Sequence, residues 1–150
     1  MTERASPSPK SRRAAISCLF VRAILSPRLR FSASGYWPEG EHHLPQAWQS
    51  DIPADIDFCT PRHGGDRWLN LGYSGWNGVA TLEHDVMNIT ITAQTPWLML
   101  FRMSGQSFLC LEPQSHPVNA HHMAGQPGLV ALGRGESSHF AMEIAVEKAL

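Results

Sequence analysis

The stretch Ser107-Phe108-Leu109-Cys110-Leu111-Glu112-Pro113-Gln114-Ser115 runs four apolar residues straight into a carboxylate, with a proline directly behind it. A strand alternates its side chains, so Phe108, Cys110 and Glu112 share one face while Leu109 and Leu111 share the other. Pro113 has no N–H to give to a ladder and is expected to end the strand. Glu112 would then stand at a strand mouth, half in an apolar wall and half facing a cleft. Such a place disfavours the charged form, and a carboxylate there can serve as a proton-accepting base. The pattern alone is equally that of a solvated glutamate at a strand end.

A second group of chemistry-bearing residues lies in Trp68-Leu69-Asn70-Leu71-Gly72-Tyr73-Ser74-Gly75-Trp76-Asn77-Gly78. Its glycines and Asn-Gly pair point to tight turns, where large rings such as Tyr73 and Trp76 stay partly open. Rings that stack on the C–H faces of a sugar, beside the Asn70 amide that bonds its hydroxyls, would make a carbohydrate site. The alternative for Trp76 is a cap on the core. The eight histidines do not assemble into a metal motif. His42-His43 and His121-His122 are adjacent pairs, which on a strand point to opposite faces, and His116 and His121 reach Glu112 only if their loop folds back. No metal site is expected. Cys110, among apolar neighbours, reads as a small hydrophobe rather than a nucleophile. Gly133-Arg134-Gly135 is too short for a phosphate loop.

The elements that must hold these residues are short and extended. Leu29–Ala33, Val79–His84, Asn88–Ala93, Trp97–Phe101, Leu129–Leu132 and Ser138–Val146 read as strands. Asn88–Ala93 alternates strictly, and Trp97–Phe101 is apolar enough to be covered on both faces. Tyr36–Pro45 and Pro113–Gly128 read as loops, and Ile56-Asp57-Phe58 as a brief extended piece. No internal repeat and no convincing helix is present, so the expected fold is an all-β sandwich or barrel.

A chain of 150 residues suits one domain with a real core. The formal net charge of -1 hides an asymmetry: residues 1–30 hold seven of the twelve basic residues and one acid, Glu3. The acidic remainder offers no surface for nucleic acid. Three separated cysteines suggest no disulfide framework, and no apolar run is long enough to span a membrane. Residues 1–28 read as a disordered or non-native basic leader before a domain at 29–150. A secretory, twin-arginine or organellar signal is weighed against the arginine at 22 that interrupts the apolar run, and a cytoplasmic protein is expected.

Taken in order, Leu69-Asn70…Tyr73-Ser74-Gly75-Trp76-Asn77-Gly78, Thr95-Pro96, Phe108–Ser115 and Gly133-Arg134-Gly135-Glu136 resemble the C-terminal part of the aldose 1-epimerases, or galactose mutarotases. Pro38 and Ile56-Asp57-Phe58 also fit that family's order. The resemblance spans roughly Leu29 to the C-terminus. It implies a truncated antiparallel β-supersandwich that interconverts the α and β anomers of a free aldose without a cofactor. It places the family's catalytic glutamate on Glu112, and a substrate-binding aspartate on Asn70, which can bond a hydroxyl but carries no charge. Tyr73 and Trp76 are the further substrate-binding candidates. The family's general-acid histidines lie in an N-terminal half for which this sequence has no counterpart, so weak or no activity alone is expected. The alternatives are a non-catalytic carbohydrate-binding module and a half-domain completed by another chain. Self-association through exposed sheet edges is a further expectation.

Overall fold

The computed structural model describes the backbone of residues 11–13 and 19–22 and the whole of residues 27–149. Twelve strands make up its regular structure: β1 (Ser11–Arg13), β2 (Leu19–Arg22), β3 (Arg28–Phe31), β4 (Gly35–Trp37), β5 (Arg62–His63), β6 (Leu69–Ser74), β7 (Val79–Glu83), β8 (Met87–Ala93), β9 (Trp97–Arg102), β10 (Phe108–Gln114), β11 (Val130–Leu132) and β12 (Met142–Lys148). Among the described residues there is no α-helix, only short 3-10 turns at Glu41–His43 and Ala120–His122. Among the described residues no helix is long and apolar enough to cross a membrane.

Two five-stranded sheets are wholly antiparallel. One runs β2-β10-β9-β6-β4 and the other β12-β8-β7-β3-β5, with β1 and β11 as a separate pair. The apolar alternation read from the sequence is what closes them face to face. Leu69, Leu71 and Tyr73 of β6, Leu98 and Leu100 of β9, and Leu109 and Leu111 of β10 point inward from the first sheet. Leu29 and Phe31, Ala80 and Leu82, and Ile91 and Ala93 answer them from the second. At about 25 cal/mol per Å² of buried apolar surface, this shared face dominates the stability of the fold.

Four sequence expectations change here. Leu69–Ser74 is a strand, not a run of turns, because Leu69, Leu71 and Tyr73 alternate into the core despite the neighbouring glycines. Ile56-Asp57-Phe58 follows a turn, with the Ile56 and Asp57 amides both donating to the Pro53 carbonyl, and it plugs Ile56 and Phe58 into the core. Pro113 does not end its strand: it pairs with Leu98 and is almost fully buried. The physical reason is its neighbourhood. Among the described residues the pairing with β2 ends at Leu111, and Pro113, with no N–H to give, keeps its place opposite Leu98 of β9 at the penultimate position of the strand. Two stretches within the expected leader are strands: Leu19–Arg22 runs beside Phe108–Leu111, and Ser11–Arg13 pairs with Val130–Leu132. Of the rest of that leader, Arg28 opens β3, and residues 1–10, 14–18 and 23–26 lie outside the described residues.

Candidate functional site

Strand alternation gives the first sheet a second face, turned away from the core, and the register fixes what stands on it. Trp37, Gly72, Met99 and Glu112 form one row across β4, β6, β9 and β10. Asn70, Phe101 and Cys110 form the next. Glu112 is half-buried, within the strand rather than at its mouth. Directly opposed residues share a face, and strands lie about 4.8 Å apart with about 3.4 Å per residue along them. The Asn70 and Glu112 backbones are therefore about 12 Å apart across a floor of Phe101, Met99 and Gly72. That separation leaves room for a single sugar ring between the two side chains.

Two loops wall this face. The first, between β4 and β5, is anchored by paired backbone bonds of 2.9 Å between Tyr36 and Gln49, and by Trp48 Nε1 donating to Ser74 Oγ at 2.7 Å. It delivers Glu39 beside Asn70. Asn70 Nδ2 donates to Glu39 Oε1 at 2.7 Å, Trp68 Nε1 donates to Oε2 at 2.5 Å, and the His43 ring bonds Oε1. Burial works against charge on Glu39, but the bonds from Asn70, His43 and Trp68, with the positive charge available to His43, outweigh it and hold the carboxyl below its usual range. The His43 ring lies 5.6 Å from that of Trp68, which meets Phe101 edge-on at 5.3 Å. Both His42 (φ 55°) and His43 (φ 61°) sit in the left-handed region, a strained geometry for non-glycine residues that aims His43 at Glu39.

The second wall is the loop after β10. A Cβ on Gly72 would meet Val118 and Trp37 at 3.5 Å each, so this loop reaches back over the row that holds Glu112. Gly128 closes it. With φ at +72°, its Cβ would come within 2.1 Å of the Ser115 carbonyl and 2.7 Å of the Trp97 ring, so only glycine fits. His116 is buried against this loop, 3.1 Å from Ser115 Oγ, and burial, helped by His121, pushes its pKa down. Both histidine pairs lie in 3-10 turns rather than on strands. Among the described residues, no three His, Cys, Asp or Glu side chains gather as a metal-holding group.

The structure thus puts Glu112 and Asn70 on one face and removes the other two candidates from it. Tyr73 is 1% exposed, its hydroxyl donates to the Ile56 carbonyl at 2.9 Å, and its ring packs edge-on against Phe31 at 4.9 Å. Trp76 is 3% exposed and donates to the Val79 carbonyl at 2.9 Å. Both are core residues, and the expectation that they bind substrate is corrected: strand alternation turns Tyr73 inward, and the Trp76 indole is spent on the backbone. The open aromatic surface near Asn70 belongs to Trp68 instead. Sequence reading passed over Glu39, His43 and Trp68. Glu39 lies 31 residues from Asn70, and only the Tyr36–Pro45 loop, rich in aromatic and polar groups, hinted at them. A shallow depression by Trp76, Asn77, Thr92, Gln94, Thr95 and Pro96 lies elsewhere and is lined by no titratable side chain.

No family description matches the chain. Over 136 residues it is 35% identical to the uncharacterized protein YphB of Escherichia coli K12, covering 82% of this chain and 47% of YphB. A crystal structure from Escherichia coli K12, described as that of a "putative aldose 1-epimerase", matches with a TM-score of 0.87 at 28% identity, over 93% of this chain and 52% of that one. The Slr1438 protein of Synechocystis sp. PCC 6803 shares the fold with a TM-score of 0.57 at 14% identity, over 94% of this chain and 47% of its own. The fold is therefore that of the aldose 1-epimerase-like structure, and the chain spans about half the length of these three proteins.

Proposed function

We propose that the outer face of the β2-β10-β9-β6-β4 sheet is the carboxylate-bearing half of a mutarotase-like site that takes a free aldohexose. The observation that carries the reading is the placing of Glu112 and Asn70 on one solvent-side face, across a ring-sized floor, in a fold shared with an aldose 1-epimerase-like structure. Asn70 bonds a sugar hydroxyl, Trp68 offers its ring to a C–H face, and Glu112 points at the anomeric end.

In this scheme Glu112 removes the proton from the C1 hydroxyl. The C1–O5 bond breaks, O5 takes up a proton, and the open-chain aldehyde turns about C1–C2. Closure from the other side reverses both proton movements and releases the second anomer. All electrons stay within the sugar and its exchanged protons, so no cofactor enters. Glu112 supplies the base; in this chain water brings the proton to O5, which keeps turnover slow, since a positioned acid contributes about 10²–10⁴-fold in such steps. The test is anomer exchange of galactose or glucose followed by polarimetry, with wild-type protein and Glu112→Gln side by side. Acceleration over buffer that the substitution removes supports the reading, and folded protein with a buffer-level rate rejects it.

A further inference from the structure

The second sheet leaves one end of its inner face uncovered. In antiparallel register Ile144 stands opposite Ile91, and Val146 opposite Ile89, so the four side chains share the core-facing side. Their burial nevertheless diverges: Ile91 is 0% exposed, while Ile144 is 42% and Val146 62% exposed. Met87, which opens β8 on the same side as Ile89 and Ile91, continues the exposed apolar stripe, and Met142 and Phe140 are only partly covered at its other end. β12 is also the last strand of its sheet and seven residues long, so its outer backbone edge is a full-length ladder template among the described residues. Native sheets rarely leave a long edge and an apolar inner face open together.

We propose that this stripe is a docking surface for the complementary half of the sandwich, entering as a β-strand laid along β12 with its apolar side chains turned onto Ile144 and Val146. Three observations select that occupant. The Escherichia coli proteins reported above are about twice as long and the match runs through most of this chain, so each carries a comparable length of polypeptide beyond the part that corresponds to this sandwich. The stripe is continuous with the core cluster rather than an isolated patch. Charge disfavours a second copy: β12 paired antiparallel with itself about Ala145 sets Glu143 opposite Glu147 twice on the outer face. The inference rests on the fold and not on the sugar reading, so either stands without the other.

The experiment is co-expression of the full chain with the segment of YphB that has no counterpart here, one of them tagged, followed by affinity capture and light scattering. A 1:1 complex is expected, and Ile144→Glu with Val146→Glu should lower its yield at least 10-fold. Both side chains are exposed in the isolated chain, so circular dichroism should show the doubly substituted chain still folded. Val130→Glu, at an exposed apolar position on β11, should leave the complex intact. Absence of any complex overturns the proposal. So does a complex indifferent to the β12 substitutions, or a homodimer of this chain that those substitutions dissociate, which would make the occupant a second copy.

Discussion

A carboxylate that takes a proton from a sugar hydroxyl needs a fixed perch and a polar group at the far end of the ring to hold the substrate against it. In the proposed site β10 gives Glu112 that perch, and Asn70, whose amide donates to Glu39, is the far holder. Asn70→Ala is expected to weaken hexose binding about 10-fold, the loss of one good hydrogen bond, in a titration read by tryptophan fluorescence. Glu39→Ala leaves the Trp68, His43 and Asn70 donors without their shared acceptor and should cost about 1–3 kcal/mol in denaturant unfolding. The acid side of the stability profile follows from two groups. Glu39 has a lowered pKa in the fold, so its contribution is present above its ordinary value near 4.5 and is lost as pH falls through the folded value. His116 is also lowered, by burial first and then by His121, so the fold resists its protonation and loses stability as pH drops below about 6.5. Melting temperature should therefore fall in two stages on acidification, and His116→Gln should remove the upper one. At this scale the side of the strand that Glu112 takes is legible in the alternation of its local neighbours, whereas the partners of Glu39 are not, since they lie far along the chain. Tyr73 and Trp76 were misassigned because residue type suggests a sugar platform and only three-dimensional placement shows a ring to be core.

The strands position these residues by register, and register here follows from inward alternation. Leu109, Leu111 and Pro113 facing the core force Cys110 and Glu112 outward, and a slip of one residue would bury the carboxylate. Leu111→Ala, at a fully buried site in the middle of β10, should cost about 2–5 kcal/mol and blur the Glu112 geometry with it. The loop after β10 depends on Gly128, where backbone conformation and contact both exclude a side chain. Gly128→Ala should cost about 2 kcal/mol or more, read as a fall in melting temperature, and should loosen the wall that carries Val118. Elements with clean alternation, such as Asn88–Ala93 and Trp97–Phe101, could be read directly from the sequence. β6 could not: Gly72 lies in the middle of the strand, where a Cβ would make only ordinary contacts with Trp37 and Val118, and in the sequence such a glycine looks like one kept for a turn.

On the scale of the whole molecule, the described residues form a two-layer sandwich with a shared core and an exposed apolar stripe on β12, and the chain spans about half the length of the Escherichia coli proteins reported above. The all-β class followed from strand spacing and turn residues. The open stripe on β12 did not, because Met142–Lys148 alternates like any half-buried strand and nothing local tells whether its apolar side is covered. Glu112 is proposed to act as a base on a bound aldose, and magnetisation-transfer NMR of the α/β exchange of galactose or glucose reads that step. Exchange faster than in buffer is expected with the folded chain, and exchange at the buffer rate with Glu112→Gln. A buffer-level rate from folded wild-type protein, or equal acceleration by both proteins, would contradict it.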